Sequence, residues 1–225
     1  MATSGTATFA LDVDQCIEEA FERIGINQPT GGDLRSARRS LNLLLQELVN
    51  RGELLWATES HNLVLTAGVS HVPLQADTLS ISDMTLRRRG TTDTELSVQS
   101  LGISEYRQLP NKAQTGRPLF YVLNRERDAP TLTVWPVPDV EYDVVIERRR
   151  RIQDVGSYLD NLDLPMRFLP AIIAGLAYAL ADKRPGSVDI NRRGELLARY
   201  ETELDRALVE DRERVSLFIM PDLCR

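Results

Sequence analysis

DLRSARRSLNLLLQELVNRGELLW, residues 33–56, carries a helix start, a helix stop and a single apolar seam. Asp33 is placed to cap the N-terminus, since its carboxylate accepts hydrogen bonds from the first unpaired backbone N–H groups. Leu34, Ala37, Leu41, Leu44 and Leu48 follow at alternating spacings of three and four. That spacing lays them along one stripe of a 3.6-residue helix. Gly52 stands where a helix takes a left-handed closing residue. Leu54, Leu55 and Trp56 come directly after it. The seam marks intrachain core, and it leaves Arg35, Arg38 and Arg39 on the other side, available to acids of a neighbouring subunit. Nothing in the stretch is chemically reactive, so it points to packing and assembly.

Working outward, a second amphipathic stripe precedes it. Ile17, Ala20, Phe21 and Ile24 recur at i, i+3, i+4 and i+7, opened by Asp12 or Asp14 and closed by Gly25. The two helices, joined by NQPTGGD, read as an antiparallel hairpin. After Trp56 the period falls to two. HNLVLT and VSHVPL, around Ala67-Gly68, read as a β-hairpin. LSISDMTL and TELSVQSL read as further strands, and Ile103–Leu109 as a short helix. FYVLNRE pairs with TLTVWPVP in a second hairpin, and VEYDVVIERR makes a long last strand. The helical period returns near Asp160. One helix runs to Lys183, from either Pro165 with a kink at Pro170 or from near Leu169. The last is capped by Asp189, with Leu197, Tyr200, Leu204, Ala207 and Leu208 as its seam.

The expected class is α+β. Helices from both ends of the chain form an α-helical bundle, and an antiparallel β-sandwich or barrel-like module is inserted between them. Residues 1–58 supply the N-terminal hairpin, 59–155 the β module, 156–214 the C-terminal helices and 215–225 an extended tail. Composition agrees with an ordinary globular chain: 225 residues, 42% hydrophobic and 27% charged. The net charge of −6 argues weakly against a generic nucleic-acid binder. Lys112 and Lys183 are the only lysines. The arginine bias suits interfaces, where a planar fork pairs two acceptors, and equally suits a GC-rich codon usage. Cys16 and Cys224 make no disulfide framework. The opening MATSGTATFALDVDQ has no signal-peptide pattern. The longest apolar run, Phe168–Ala181, falls short of the ~20 residues a membrane span needs.

Catalytic patterns are missing from the sequence: it has no GxSxG, HExxH, Walker loop or GxGxxG. Gly31-Gly32 before a helix could cradle a phosphate, but Asp33 would repel an anion. His61 and His71, the only histidines, flank the first predicted turn and would face each other across it, without companions that make a metal site. The expectation is no enzyme, no cofactor and no metal. Two arginine runs remain, Arg87-Arg88-Arg89 and Arg148-Arg149-Arg150-Arg151. Three readings stay open for them: phosphate contacts, bridges to a neighbouring subunit, or solvated strand ends. The tail segment Val215, Ser216, Leu217, Phe218, Ile219 and Met220 is apolar and β-prone. Such a terminus aggregates unless it docks, on a partner or on its own helical domain.

Four segments taken in order resemble the head-to-tail adaptor proteins of tailed bacteriophages, the tail accessory or tail tubular protein A-like group. They are LDVDQCIEEAFERIGI (11–26), LRSARRSLNLLLQELVNRGELLW (34–56), GRPLFYVLNRERDAPTLTVWPVPD (116–139) and LPMRFLPAIIAGLAYALADKRP (164–185). In that group a similar first helix ends in a glycine turn, and a similar second helix ends in glycine and then Trp. The resemblance implies a virion structural protein of the neck, assembled in the host cytoplasm and not in a membrane. It implies a homo-oligomeric ring, usually a dodecamer of 12 copies, beneath the portal protein. A tail nozzle or tail tube protein would bind below, and DNA would pass through the lumen on ejection. By position, the portal-gripping segment would be Val215–Cys224. The family brings no catalytic residue. The other classes to weigh are a virion-associated cell-wall hydrolase and a nonspecific DNA-binding module.

Overall fold

Leu169–Asp182, LPAIIAGLAYALAD, is apolar on every side, and a helix of that kind is stable only when surrounded. The computed structural model shows what surrounds it; it describes Gly5 and residues 9–52, 54–91, 94–184, 186 and 188–212. The helices are α1 (Val13–Arg23), α2 (Gly31–Asn50), α3 (Ile103–Gln108), α4 (Leu169–Asp182) and α5 (Ile190–Glu210). Helix α4 touches α1, α2 and α5. The chain divides into two compact units, one built from Met1–Trp56 with Gln153–Arg225 and the other from Ala57–Ile152.

In the helical unit, small residues on α4 let its neighbours come close. A Cβ added at Gly175 would lie 2.9 Å from the Tyr200 ring of α5 and 3.0 Å from Leu44 of α2. The α2 seam is buried at Ala37, Leu41, Leu44 and Leu48, as the spacing predicts, and Ser40 and Leu45 join it. Leu34 is only half-buried. On α5 the buried set is Leu196, Tyr200, Leu204 and Ala207, with Leu197 and Leu208 at its margins. Each fully buried Leu or Ile here contributes roughly 1.5–3 kcal/mol relative to exposure. Helix α1 and α2 touch each other sparingly and lie mainly against α4.

The caps are explicit. Asp12 accepts from Gln15 N at 2.9 Å and Gln15 returns the bond to Asp12 N at 3.3 Å. Helix α2 starts three residues earlier than expected. Thr30 is its N-cap, and Asp33 is the third helical residue. Gly31 and Gly32 carry no side chain to cap with, so Thr30 accepts from Asp33 N (3.3 Å) while Asp33 accepts from Thr30 N (2.9 Å). Gly52 closes α2 at φ +149°. Pro170 stands in the first turn of α4, where its missing N–H costs nothing. At the far end of α5, the buried Asp211 carboxylate accepts from Leu55 N (3.0 Å) and from Arg167.

Among the described residues the other unit holds ten strands: β1 (Thr58–Leu65), β2 (His71–Pro73), β3 (Thr78–Arg88), β4 (Leu96–Ser97), β5 (Gln99–Ser100), β6 (Thr115–Gly116), β7 (Phe120–Asn124), β8 (Thr131–Trp135), β9 (Val137–Pro138) and β10 (Tyr142–Arg150). One sheet runs β1-β10-β3-β4, a second β2-β8-β7-β5, and β6 bridges β9. Strand pairs are antiparallel except β5 with β7 and β6 with β9. Neither four-stranded sheet closes into a barrel among the described residues. One apolar cluster draws on strands of both, including Leu65, Met84, Leu132, Tyr121 and Ile146. The chain is thus α+β.

Two expected pairings differ. The predicted hairpin of HNLVLT with VSHVPL does not form. Strand β1 instead pairs along its whole length with β10, from Thr58↔Arg149 to Leu65↔Tyr142. Strand β2 is three residues long, ends in Pro73, which has no N–H to give, and borders β8 as an edge. The eight-residue ladder outweighs the local turn. TELSVQSL also splits, and Val98 is buried where the chain passes from β4 in one sheet to β5 in the other. The second expected hairpin, β7 with β8, is present.

The close approach at Gly175 predicts opposite outcomes for two helical glycines. Gly175→Ala should destabilise by about 1–3 kcal/mol, because the added methyl overpacks the contact with Tyr200 and Leu44. Gly194→Ala, on an exposed part of α5 with no atom within 4 Å, should stabilise by about 0.5–1 kcal/mol. Urea unfolding of both variants measures this.

Candidate assembly surfaces

Every third or fourth residue of α2 shares a face, so three faces can be read from its structure. The core face carries the leucine seam. A second face, Arg38, Asn42 and Gln46, holds the connector that follows the β unit. Asn42 donates to Val155 O (3.3 Å) and accepts from Val155 N (2.9 Å). Gln46 reaches Asp154 at 3.4 Å. Arg38 donates to Gly156 O (2.9 Å) and lies over the Tyr158 ring at 5.2 Å. Arg38, expected at a subunit interface, makes these contacts within its own chain. Arg35, Arg39 and Leu43 form the third, outward face, and Leu43 is 68% exposed.

Beside Arg39 sits Lys183. Its ammonium donates to Ser40 Oγ (2.5 Å) and Ser36 Oγ (3.3 Å). Burial and the Arg39 charge hold it below the usual lysine value. Among the described residues neither Arg35 nor Arg39 has an ion-pair partner. This end of α2 therefore gathers positive charge that would welcome a carboxylate. Arg184, nearby in sequence, is neutralised by Asp33 and lies over Phe21 at 5.5 Å.

The Arg148–Arg151 run is not a surface patch. Strand β10 buries alternate residues, and counting from Tyr142, Val144 and Ile146 places Arg148 inward. It is 2% exposed. Its guanidinium donates to Asp77 (2.6 Å), Thr78 Oγ1 (2.8 Å), Glu59 and Gln75. Glu59 is its direct cross-strand partner on β1. Arg150 lies 3.5 Å from the same Glu59, Arg149 is half-buried, and Arg151 is exposed. The run thus ties three segments of the β unit together; the alternation of its own strand was the signal for it.

In the other run, Arg87 and Arg88 are exposed at the end of β3, opposite Asp143 and Tyr142. Arg89 pairs with Glu141 (3.2 Å) and Asp143 (3.7 Å). His61 and His71 do not meet, since they lie in different sheets. His61 stands opposite Ile146, and His71 Nδ1 shares a 2.9 Å hydrogen bond with Thr133 Oγ1. Cys16 is buried, which pushes its thiol up to about 11. No group of three or more His, Cys, Asp or Glu suited to a metal occurs among the described residues. No described helix is long and apolar enough to cross a membrane. Val215, Ser216, Leu217, Phe218, Ile219 and Met220 lie outside the described residues.

The sequence model of the SU10 adaptor protein family matches residues 11–219. The chain belongs to that family. No curated protein matches it. Among solved structures, it is similar to a chain in "Neck of empty GTA particle computed with C6 symmetry", at 15% identity and a TM-score of 0.29, covering 78% of this chain and 80% of that one. So low a score adds no argument about function.

The Arg148 network predicts a linked stability and pH effect. Arg148→Met should destabilise by about 1–3 kcal/mol, kept modest because Glu59 and Asp77 are 43% and 42% exposed and regain water. The Arg148 hydrogen bond holds the Asp77 carboxyl below its usual value. A depressed folded pKa stabilises fully above the unfolded value and is lost as pH falls through the folded one. The gap between wild type and variant should therefore be full near pH 6 and narrow as pH drops below about 4. Denaturant unfolding at a series of pH values checks it.

Proposed function

We propose that the chain is a structural head-to-tail adaptor of a tailed-phage particle and not an enzyme. In this reading it forms a ring of about twelve copies, seated beneath the portal protein. The ring receives a nozzle or tube protein below and passes DNA through its lumen on ejection. Helices α1, α2 and α5 form a bundle around α4, and the two sheets form a sandwich in the other unit. Membership of the SU10 adaptor family supports the class.

The observation that carries self-association is the outward face of α2. It sets two arginines that have no ion pair among the described residues beside an exposed leucine, with Lys183 adding charge at one end. Interface cores favour arginine and apolar side chains over other charged groups. A neighbour offering carboxylates and an apolar residue would neutralise the arginines and cover Leu43. Arg87 and Arg88 are second candidates for the same kind of contact, as are Arg149–Arg151 where they reach the surface. The tail segment Val215–Met220 is assigned to the portal, because an apolar β-prone run suits strand addition or a groove on a partner. The acidic overall balance suits a lumen that does not hold the genome.

Two outcomes test this reading. Mixed with its portal protein, the chain should sediment as a ring-sized assembly; a persistent monomer would overturn it. Arg35→Glu with Arg39→Glu should weaken that assembly by roughly tenfold or more without unfolding the chain. Separately, deletion of Val215–Arg225 should leave a folded chain with a cooperative thermal transition and abolish portal attachment in a pull-down. Normal attachment by the truncated chain would remove the tail's role.

A further inference from the structure

The helical unit carries an open groove of about 590 Å³ between α1 and the start of α4. Its floor is Phe9, Met166, Pro170 and Ile173, and Glu18 and Glu22 stand on its rim. Phe9 is 67% and Met166 48% exposed. Such a volume lies within the range of sites that bury a bound group (~300–1,000 Å³). Arg23, also on the wall, has a guanidinium nitrogen, Nη1, with no acceptor among the described residues. An apolar floor with an acidic rim describes a site for a short peptide segment whose side chains would fill the floor.

We propose that the occupant is the chain's own Val215–Met220, held in this groove while no partner has taken it. The path is short. Helix α5 ends at Asp211, whose carboxylate accepts from Arg167, and Arg167 is the immediate neighbour of Met166 on the groove floor. The segment therefore begins four residues beyond Asp211, whose partner Arg167 adjoins a groove residue in sequence. Four extended residues reach up to about 14 Å. From Leu169 to Ile173 the floor rises one helical turn, about 6 Å. Six extended residues, about 20 Å, are ample to cross it.

The run VSLFIM carries no charge, so it suits the apolar floor, while the EDRER stretch before it mixes both signs. The docking covers Phe9 and Met166 and removes an aggregation-prone terminus from solvent. It concerns the isolated chain, so it stands or falls apart from the portal reading. If that reading also holds, the portal must draw the segment out of the groove.

The test is disulfide trapping in the full chain with Cys224→Ser. Cys16 is buried with its thiol pushed up to about 11, so it stays silent. Glu18→Cys combined with Leu217→Cys should oxidise to a bond within one chain, seen by non-reducing electrophoresis and peptide mapping at low protein concentration. Leu43→Cys with Leu217→Cys serves as the background pair. A yield no higher than background would show the groove is not the tail's site. A bond between chains would show that a second copy is the occupant; either result overturns the proposal. In a second measurement, trypsin should cleave after Arg214 about tenfold faster in Met166→Glu than in wild type, as the docked state is lost. Equal rates would overturn it as well.

Discussion

Helix α4 has no side that water accepts, and the helical unit follows from that constraint. Ten of its residues are buried. A helix apolar all round must be wrapped, and the wrapping comes from both sides of the β unit in sequence: α1 and α2 before it, α5 after it. Gly175 sets how closely they come, because only a hydrogen side chain leaves room for Tyr200 and Leu44 together. The remaining polar contacts fasten the periphery of this arrangement. Asp211 ties the end of α5 to the chain leaving α2, and Asn42 ties the connector after the β unit to the middle of α2. Hydrophobic burial gathers the segments, and directional bonds choose among the ways of gathering them.

The arginines divide by what they face. Arg148 is inward because β-strand alternation leaves no choice, and a buried guanidinium persists only with acceptors around it. Its four partners come from β1, from β3 and from the loop before β3. Arg38 is taken up by a backbone carbonyl and a tyrosine ring. Of the arginines in these clusters, those left exposed and without an ion pair among the described residues are fewer than their number implies: Arg35 and Arg39 on α2, Arg87 and Arg88 at the end of β3, and Arg151. A run of like charges in a sequence thus says little until the face of each residue is known.

Local patterns were legible where local physics decides them. The seam of α2, the caps at Asp12 and Asp189, the closing glycines and the β7–β8 hairpin all depend on residues close in sequence. The burial of α4 was legible because it requires no partner to be named. The β1–β2 hairpin was misread because its turn is real, while the better ladder lies some eighty residues on, at β10. Asp33 was misassigned by one turn, since a Thr–Gly–Gly–Asp run permits either Thr30 or Asp33 to cap, and only a reciprocal bond decides between them. Arg148 follows from counting twos from Tyr142, an alternation that a run of four arginines hides.

Arginine's geometry bears on why lysine is so scarce here. An ammonium is a point charge with three donors, and a guanidinium spreads five N–H groups in a plane. At position 148 one side chain meets acceptors on separate segments, a task the fork performs and the ammonium does not. Lys183 shows the contrast: its partners are two serines one turn apart on a single helix, within reach of a compact head group. The bias toward arginine therefore has structural uses within the chain as well as at its surface. A surface arginine on this protein is evidence of an interface only after those internal uses are set aside, and Arg35 and Arg39 are the pair on α2 that passes that test.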